Sequence, residues 1–229
     1  MRLASERESS TAALRRYGTY RGLIQEALRH RQLPLDLAFL PWVESGWKNV
    51  GPNQAGAAGM WQLMPATARG YGLEVSAYVD ERRDPVRSTV AAVHYLADLR
   101  DETNDWHTAL AAYNAGTGRT GTSRGAFWRR RRFLPAETRA YVPHVLAAAR
   151  VGRSPEGWGL PATATRPYRF RILWTEGGTP LGTLASRIGV PARELAELNP
   201  HLIRGTTPPG RRWPVRVPVA IPAHEIQTH

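Results

Sequence analysis

The period of the apolar residues changes once along this chain, across the Gly/Pro/Thr-rich stretch VGRSPEGWGLPATATRP at 151–167. A segment patterned at 3.6 residues cannot bury the same face as a strand, so this switch limits the fold more than any single motif does. Upstream, YRGLIQEALRHRQL sets Leu23, Ile24, Ala27 and Leu28 on one helical face. LPLDLAFLPWVES continues as helix, with a kink expected at Pro41, which cannot donate to the Leu37 carbonyl. RDPVRSTVAAVHYLADLRDE predicts the clearest helix, with Asp84 as N-cap, Pro85 at its first position, and a buried stripe of Val86, Val90, Val93 and Leu96. Downstream, YRFRILW alternates Tyr168, Phe170, Ile172 and Trp174 against Arg169 and Arg171, which reads as a strand. Two short helices near 180–188 and 191–199 follow, and RWPVRVPVA gives a second strand through Val215 and Val217. The expected organisation is mainly α: a helical domain over 10–152, a linker over 153–167, a small β-α-α-β domain over 168–218 and a tail over 219–229.

Composition narrows the functional classes. A length of 229 residues allows one medium and one small domain, and 42% hydrophobic residues supply a core. With no cysteine, disulfides and a thiol nucleophile are excluded; a reducing compartment and a disulfide-free envelope protein both remain open. The opening MRLASERESSTAALRR lacks the apolar core of a signal peptide, so export would need a signal upstream of this sequence. No apolar run approaches the ~18 residues of a membrane span. The net charge of +12 is almost wholly arginine, Lys48 being the single lysine, a skew that reflects genome composition more readily than selection for arginine chemistry. WRRRRF at 128–133 reads as a solvated face or as a patch for an anionic polymer. No nucleic-acid reading motif accompanies the charge, so nucleic acid is not an expected partner. The seven histidines show no paired ligand spacing, so neither metal nor cofactor is expected.

The stretch LPWVESGWKN sets one acid, Glu44, among Leu40, Trp42, Val43 and Trp47. A carboxylate is costly to hold beside apolar surface, which favours its protonated form. Three further motifs follow in order. GAAGMWQLMP (56–65) offers Met60, Trp61 and Gln62 between glycines; AAYNAGTG (111–118) offers Tyr113 and Asn114; TRAYVPHV (138–145) offers Tyr141 ahead of a proline expected to limit the helix. Together they suggest a groove of aromatics, amides and exposed backbone, suited to a sugar polymer. Singly each has a plainer reading: Tyr113 and Tyr141 as core residues, Gln62 as a local hydrogen-bonder, Glu44 as a surface acid or an arginine's partner. Asp80, Glu81 and Asp84 read as structural.

The ordered set closely resembles the lytic transglycosylases of the soluble-lytic-transglycosylase type, especially the murein transglycosylase D branch. VESGW, GAAGMWQLMP, AYNAG and AYVPHV carry the resemblance over residues ~20–150. It implies a goose-lysozyme-like helical fold, peptidoglycan glycan strands as partner, a periplasmic or cell-envelope location and a monomer. It also implies cleavage of the β-1,4 bond between N-acetylmuramic acid and N-acetylglucosamine without added water. Glu44 would be the acid and base. Ser45 and Gln62 would contact substrate, with Met60 and Trp61 as the adjacent wall; Tyr113 and Asn114 would line the cleft and Tyr141 would orient Glu44. No second acid falls inside the motifs. GGTPLGTLASRIGVPARELAELNP (177–200) resembles a LysM module, although GTPL stands where such modules usually carry Gly-Asp-Thr-Leu. A hydrolytic muramidase and a non-catalytic wall-binding protein are the rival readings.

Overall fold

The structure, a computed structural model, describes residues 2–161 and 165–220; the expected tail past 220 and residues 162–164 of the expected linker lie outside them. Eight helices come first: α1 (Arg2–His30), α2 (Leu40–Ser45), α3 (Pro65–Gly70), α4 (Pro85–Thr103), α5 (Trp106–Ala115), α6 (Thr117–Thr120), α7 (Ala126–Arg130) and α8 (Ala136–Arg153). Strand β1 (Arg171–Thr175), helices α9 (Leu181–Arg187) and α10 (Ala192–Leu198) and strand β2 (Trp213–Val217) complete a β-α-α-β module. The two strands pair antiparallel, with Leu173 opposite Val215.

The chain forms two compact units. Of the described residues, one comprises those up to Lys48, Met60–Gln62 and those from Thr89 to Pro167; the other comprises Asn49–Gly59, Leu63–Ser88 and those from Tyr168 onward. In the first, Ile24 and Leu28 of α1 are fully buried, as their spacing predicts. The Pro41 kink takes another form. A 3-10 turn over Leu35–Phe39 ends, and α2 starts afresh with Pro41 in its first turn, where a missing N–H costs nothing. Pro143 does not limit its helix either: α8 runs through it to Arg153. Thr138, Tyr141, Val142, Val145 and Ala149 bury one continuous face of α8, and that packing outweighs one lost backbone bond.

Asp84 caps α4 as expected, accepting from the Val86 and Arg87 amides at 2.8 and 2.9 Å. The buried stripe differs from the one expected. Val90 is exposed, while Ser88 and Thr89 are fully buried. Both hydroxyls are satisfied: Ser88 donates to the Asp84 carbonyl at 2.5 Å, and Thr89 accepts from the Trp61 indole at 3.0 Å. A scan for apolar residues does not see such positions.

In the second unit, Leu173, Leu181, Leu184, Leu195, Leu202, Val215 and Val217 form one core, joined by Val79 from the middle of the chain. The phase of β1 is opposite to that expected. Leu173 and Thr175 face inward, whereas Ile172 and Trp174 are exposed. Since strand side chains alternate, a one-residue change of phase moves the whole set to the other face.

Glycines give the packing a direct test. A Cβ at Gly152 of α8 would meet the Phe39 ring at 2.1 Å, while one at Gly22 of α1 would meet nothing within 4 Å. Gly152→Ala should destabilise by about 1–3 kcal/mol through overpacking, and Gly22→Ala should stabilise by about 0.5–1 kcal/mol through helix propensity. Urea unfolding of both variants checks the opposite signs.

Candidate active site

Short helix α2 presents the central acid. Its last residue is Ser45; Gly46 then turns left-handed at φ +60°, and Arg16 Nε donates to the Gly46 carbonyl at 2.5 Å. Trp47 follows with φ +55° and swings back into the core, fully buried, its ring stacked on Tyr17 at 4.9 Å and its indole donating to the Ala38 carbonyl. The anchored turn leaves Glu44 on the final turn of α2 with partial access to solvent.

Tyr141 of α8 donates its hydroxyl to Glu44 Oε1. The Glu44 carboxyl is pushed up to about 7, chiefly by burial away from water. The Tyr141 hydrogen bond opposes that rise, because it favours the charged form, and the negative charge of Glu137 adds to it. Burial, with the Glu44 charge second, holds the Tyr113 and Tyr141 hydroxyls well above their ordinary range, so both remain donors.

The other motif residues assemble around this pair. Tyr113 of α5 donates to the Trp61 carbonyl at 2.7 Å, and its ring lies 5.3 Å from that of Tyr95. The Ser45 hydroxyl donates to the Met60 carbonyl at 2.8 Å and accepts from the Lys48 amide at 3.1 Å. Met60 and Trp61 are fully buried, so their side chains back the site rather than form a wall that substrate could touch. What this segment offers is its backbone. Gln62 is half-buried in a left-handed conformation, φ +49°, a strain of order 1–3 kcal/mol that the surrounding contacts must offset. Asn114 links α5 to α8: its Oδ1 accepts from Thr138 at 2.9 Å and its Nδ2 donates to Glu137 at 3.4 Å.

Glu137 is the residue the motifs do not contain. It is exposed, stands one helical turn before Tyr141, and acts on the charge of Glu44. Its i, i+4 spacing from Tyr141 in AETRAYVPHV was the available signal, since residues so spaced share a helix face. The Asp80, Glu81 and Asp84 carboxylates serve structure: Asp80 pairs with Arg82, Glu81 accepts from the Glu74 amide, and Asp84 caps α4. Among the described residues no group of three or more His, Cys, Asp or Glu is placed to hold a metal.

The site therefore centres on one acid able to change its proton near neutrality, hydrogen-bonded by a tyrosine and held on a helical frame. Residues 22–130 match the transglycosylase SLT domain. Over 192 residues it is 38% identical to membrane-bound lytic murein transglycosylase D of Escherichia coli K12, covering 79% of this chain but 42% of that protein. A peptidoglycan transglycosylase of Escherichia phage T7 is 31% identical over 158 residues, 62% of this chain and 12% of that one. The crystal structure of the 70 kDa soluble lytic transglycosylase of Escherichia coli superposes with a TM-score of 0.50 and 27% identity, over 60% of this chain and 24% of that one. The chain thus spans less than half the length of these relatives.

Two outcomes follow from the electrostatics. If protonated Glu44 is the working form, activity should fall as pH rises through about 7. Glu137→Gln should move that limb to lower pH and Tyr141→Phe to higher pH, as pH–rate profiles would record. Because its folded pKa is raised, Glu44 contributes stability that is complete below about 4.5 and is lost as pH rises through about 7. Glu44→Gln should therefore gain stability over wild type at pH 8 but not at pH 4, by urea unfolding.

Proposed function

We propose that this chain is a peptidoglycan lytic transglycosylase, with Glu44 as its catalytic acid and base. The observation that carries the proposal is a single half-buried carboxyl near pKa 7, held by the Tyr141 hydroxyl. In the proposed reaction Glu44 gives its proton to the leaving glycosidic oxygen as the C1–O4 bond breaks. The Tyr141 hydrogen bond then stabilises the carboxylate until it takes the proton of the muramyl C6 hydroxyl. The C1–O6 bond closes, leaving a 1,6-anhydro end, and no water is consumed. A pKa near the working pH suits a group that must do both. Ser45, Gln62, Tyr113 and Asn114, with the Met60 and Trp61 backbone, are proposed to shape the cleft.

Glu137 favours a second reading. A second carboxylate beside the site could activate water on the opposite face of the sugar, as in inverting hydrolases. Products distinguish the two: mass spectrometry of muropeptides from purified sacculi should find anhydro ends, each lighter by one water than a reducing end. Glu44→Gln should lower turnover by ~10²–10⁴-fold with folding intact. Glu137→Gln should keep turnover and move only its pH limb; a comparable loss there, with reducing ends as product, would favour hydrolysis.

The remaining proposals concern placement. The relatives' names support an envelope location and murein strands as the partner. Among the described residues no helix is long and apolar enough to cross a membrane. Residues 106–136 contain six arginines and no acid, and Trp128 and Phe133 stand exposed among Arg129–Arg132. That surface suits peripheral contact with an anionic wall or membrane. The module over 168–218 is proposed as LysM-like, joined by the 153–167 linker to a catalytic domain over 10–152. The protein is proposed to act as a monomer without cofactor, so activity should survive EDTA; loss on chelation with recovery on added zinc would count against the mechanism.

A further inference from the structure

Gly59 to Gln62 form the loop whose Met60 and Trp61 carbonyls receive Ser45 and Tyr113. Ala58 and Leu63 close its base by exchanging both backbone hydrogen bonds, at 3.2 and 3.1 Å. One buried cation holds that base. Arg82 Nη1 donates to the Gly56 carbonyl at 2.6 Å and to the Leu63 carbonyl at 3.2 Å, one acceptor on each arm. Its Nε and Nη2 grip Asp80 as a fork, each at 2.8 Å. The Arg82 carbonyl lies 1.7 Å from where a Cβ on Gly59 would be, and Gly59 sits at φ +79°, so only glycine fits there.

The segment bearing Arg82 is built into the β-α-α-β module. Val79 belongs to the module's core and bridges Leu202. The Asp80 amide donates to the His201 carbonyl at 2.9 Å, and the Ile203 amide to the Tyr78 carbonyl at 3.1 Å. Arg216 Nη2 of β2 lies 2.8 and 2.6 Å from the two carboxylate oxygens of Asp84, with both side chains buried. Breaking either ion pair leaves an unpaired buried charge, so these contacts resist piecemeal opening. A lysine cannot replace the two-armed geometry of Arg82.

We propose that the β-α-α-β module is a positioning element for the cleavage reaction. Through Asp80 and the positioning residue Arg82 it fixes the base of the Gly59–Gln62 loop, and the peptide chain carries that restraint to the carbonyls that Ser45 and Tyr113 use. The role in cleavage rests on the transglycosylase reading; the mechanical coupling does not. Displacements of an ångström at such sites cost up to about a hundredfold in rate. A loosened loop also admits water beside Glu44, whose pKa then falls toward the ordinary carboxyl range.

Native-state hydrogen exchange on the full chain tests the coupling without substrate. The Ala58 and Leu63 amides should open together with those of Asp80, Ile203 and Arg216, with one common dependence on denaturant. Release of Ile203 and Arg216 at lower denaturant, with Ala58 and Leu63 still protected, overturns the proposal. The double variant Asp84→Asn, Arg216→Met keeps a side-chain acceptor to cap α4 and leaves no buried charge unpaired. On a short soluble peptidoglycan fragment its kcat should fall roughly tenfold or more, with KM little changed and the pH limb moved below that of wild type. A folded double variant with wild-type kcat and pH profile overturns the proposal even if the amides exchange together. Should that variant not fold, the exchange result on the native chain decides. Failure of wild type to release anhydro ends would instead count against the transglycosylase reading and leave the exchange test standing.

Discussion

The hydrogen bond from Tyr141 to Glu44 is the contact to which the other features of the site lead. Burial by itself pushes the Glu44 carboxyl upward and favours its protonated form. A donor tuned to the carboxylate draws the pKa back to about 7, where both forms are accessible. The compromise needs two helices that meet at a fixed place. Helix α2 is stopped by the left-handed Gly46–Trp47 turn, and α8 stays helical through Pro143 so that Tyr141 keeps its direction.

Around that bond the protein uses backbone as much as side chains. The residues most conspicuous in the sequence, Met60 and Trp61, are fully buried and contribute their carbonyls. Their bulk fixes the loop from within, while Ser45 and Tyr113 bind it from the side. A carbonyl is a strong acceptor that cannot change rotamer, so a loop pinned in this way holds its acceptors in place at little cost in side-chain entropy.

How much of this was legible in the sequence depended on whether the signal was local. The Asp84-Pro85 helix start, the change of period after 167 and the upward push on the Glu44 carboxyl rest on neighbours a few residues apart, and such chemistry can be read directly. The failures share one cause, the dominance of tertiary context. Pro41 and Pro143 act according to where packing starts and sustains a helix. The facing of β1 is decided by Val215 and Val217 across the sheet, and both of its faces carry apolar residues, so alternation could not choose between them. Buried Ser88 and Thr89 carry no apolar signal. Glu137 and Arg82 matter because of partners brought near only by folding.

The uneven burial of the tryptophans has an optical consequence. Trp47 and Trp61 are sealed from water and hydrogen-bonded, while Trp128, Trp158 and Trp174 are exposed. Indoles in apolar surroundings emit at shorter wavelength than hydrated ones, and a collisional quencher such as acrylamide or iodide reaches the two groups at very different rates. The emission therefore divides without any label into a surface fraction and an interior fraction. Trp61 belongs to the interior fraction while being part of the loop that Tyr113 holds, so slow opening of that loop would transfer its light from the protected to the quenchable component.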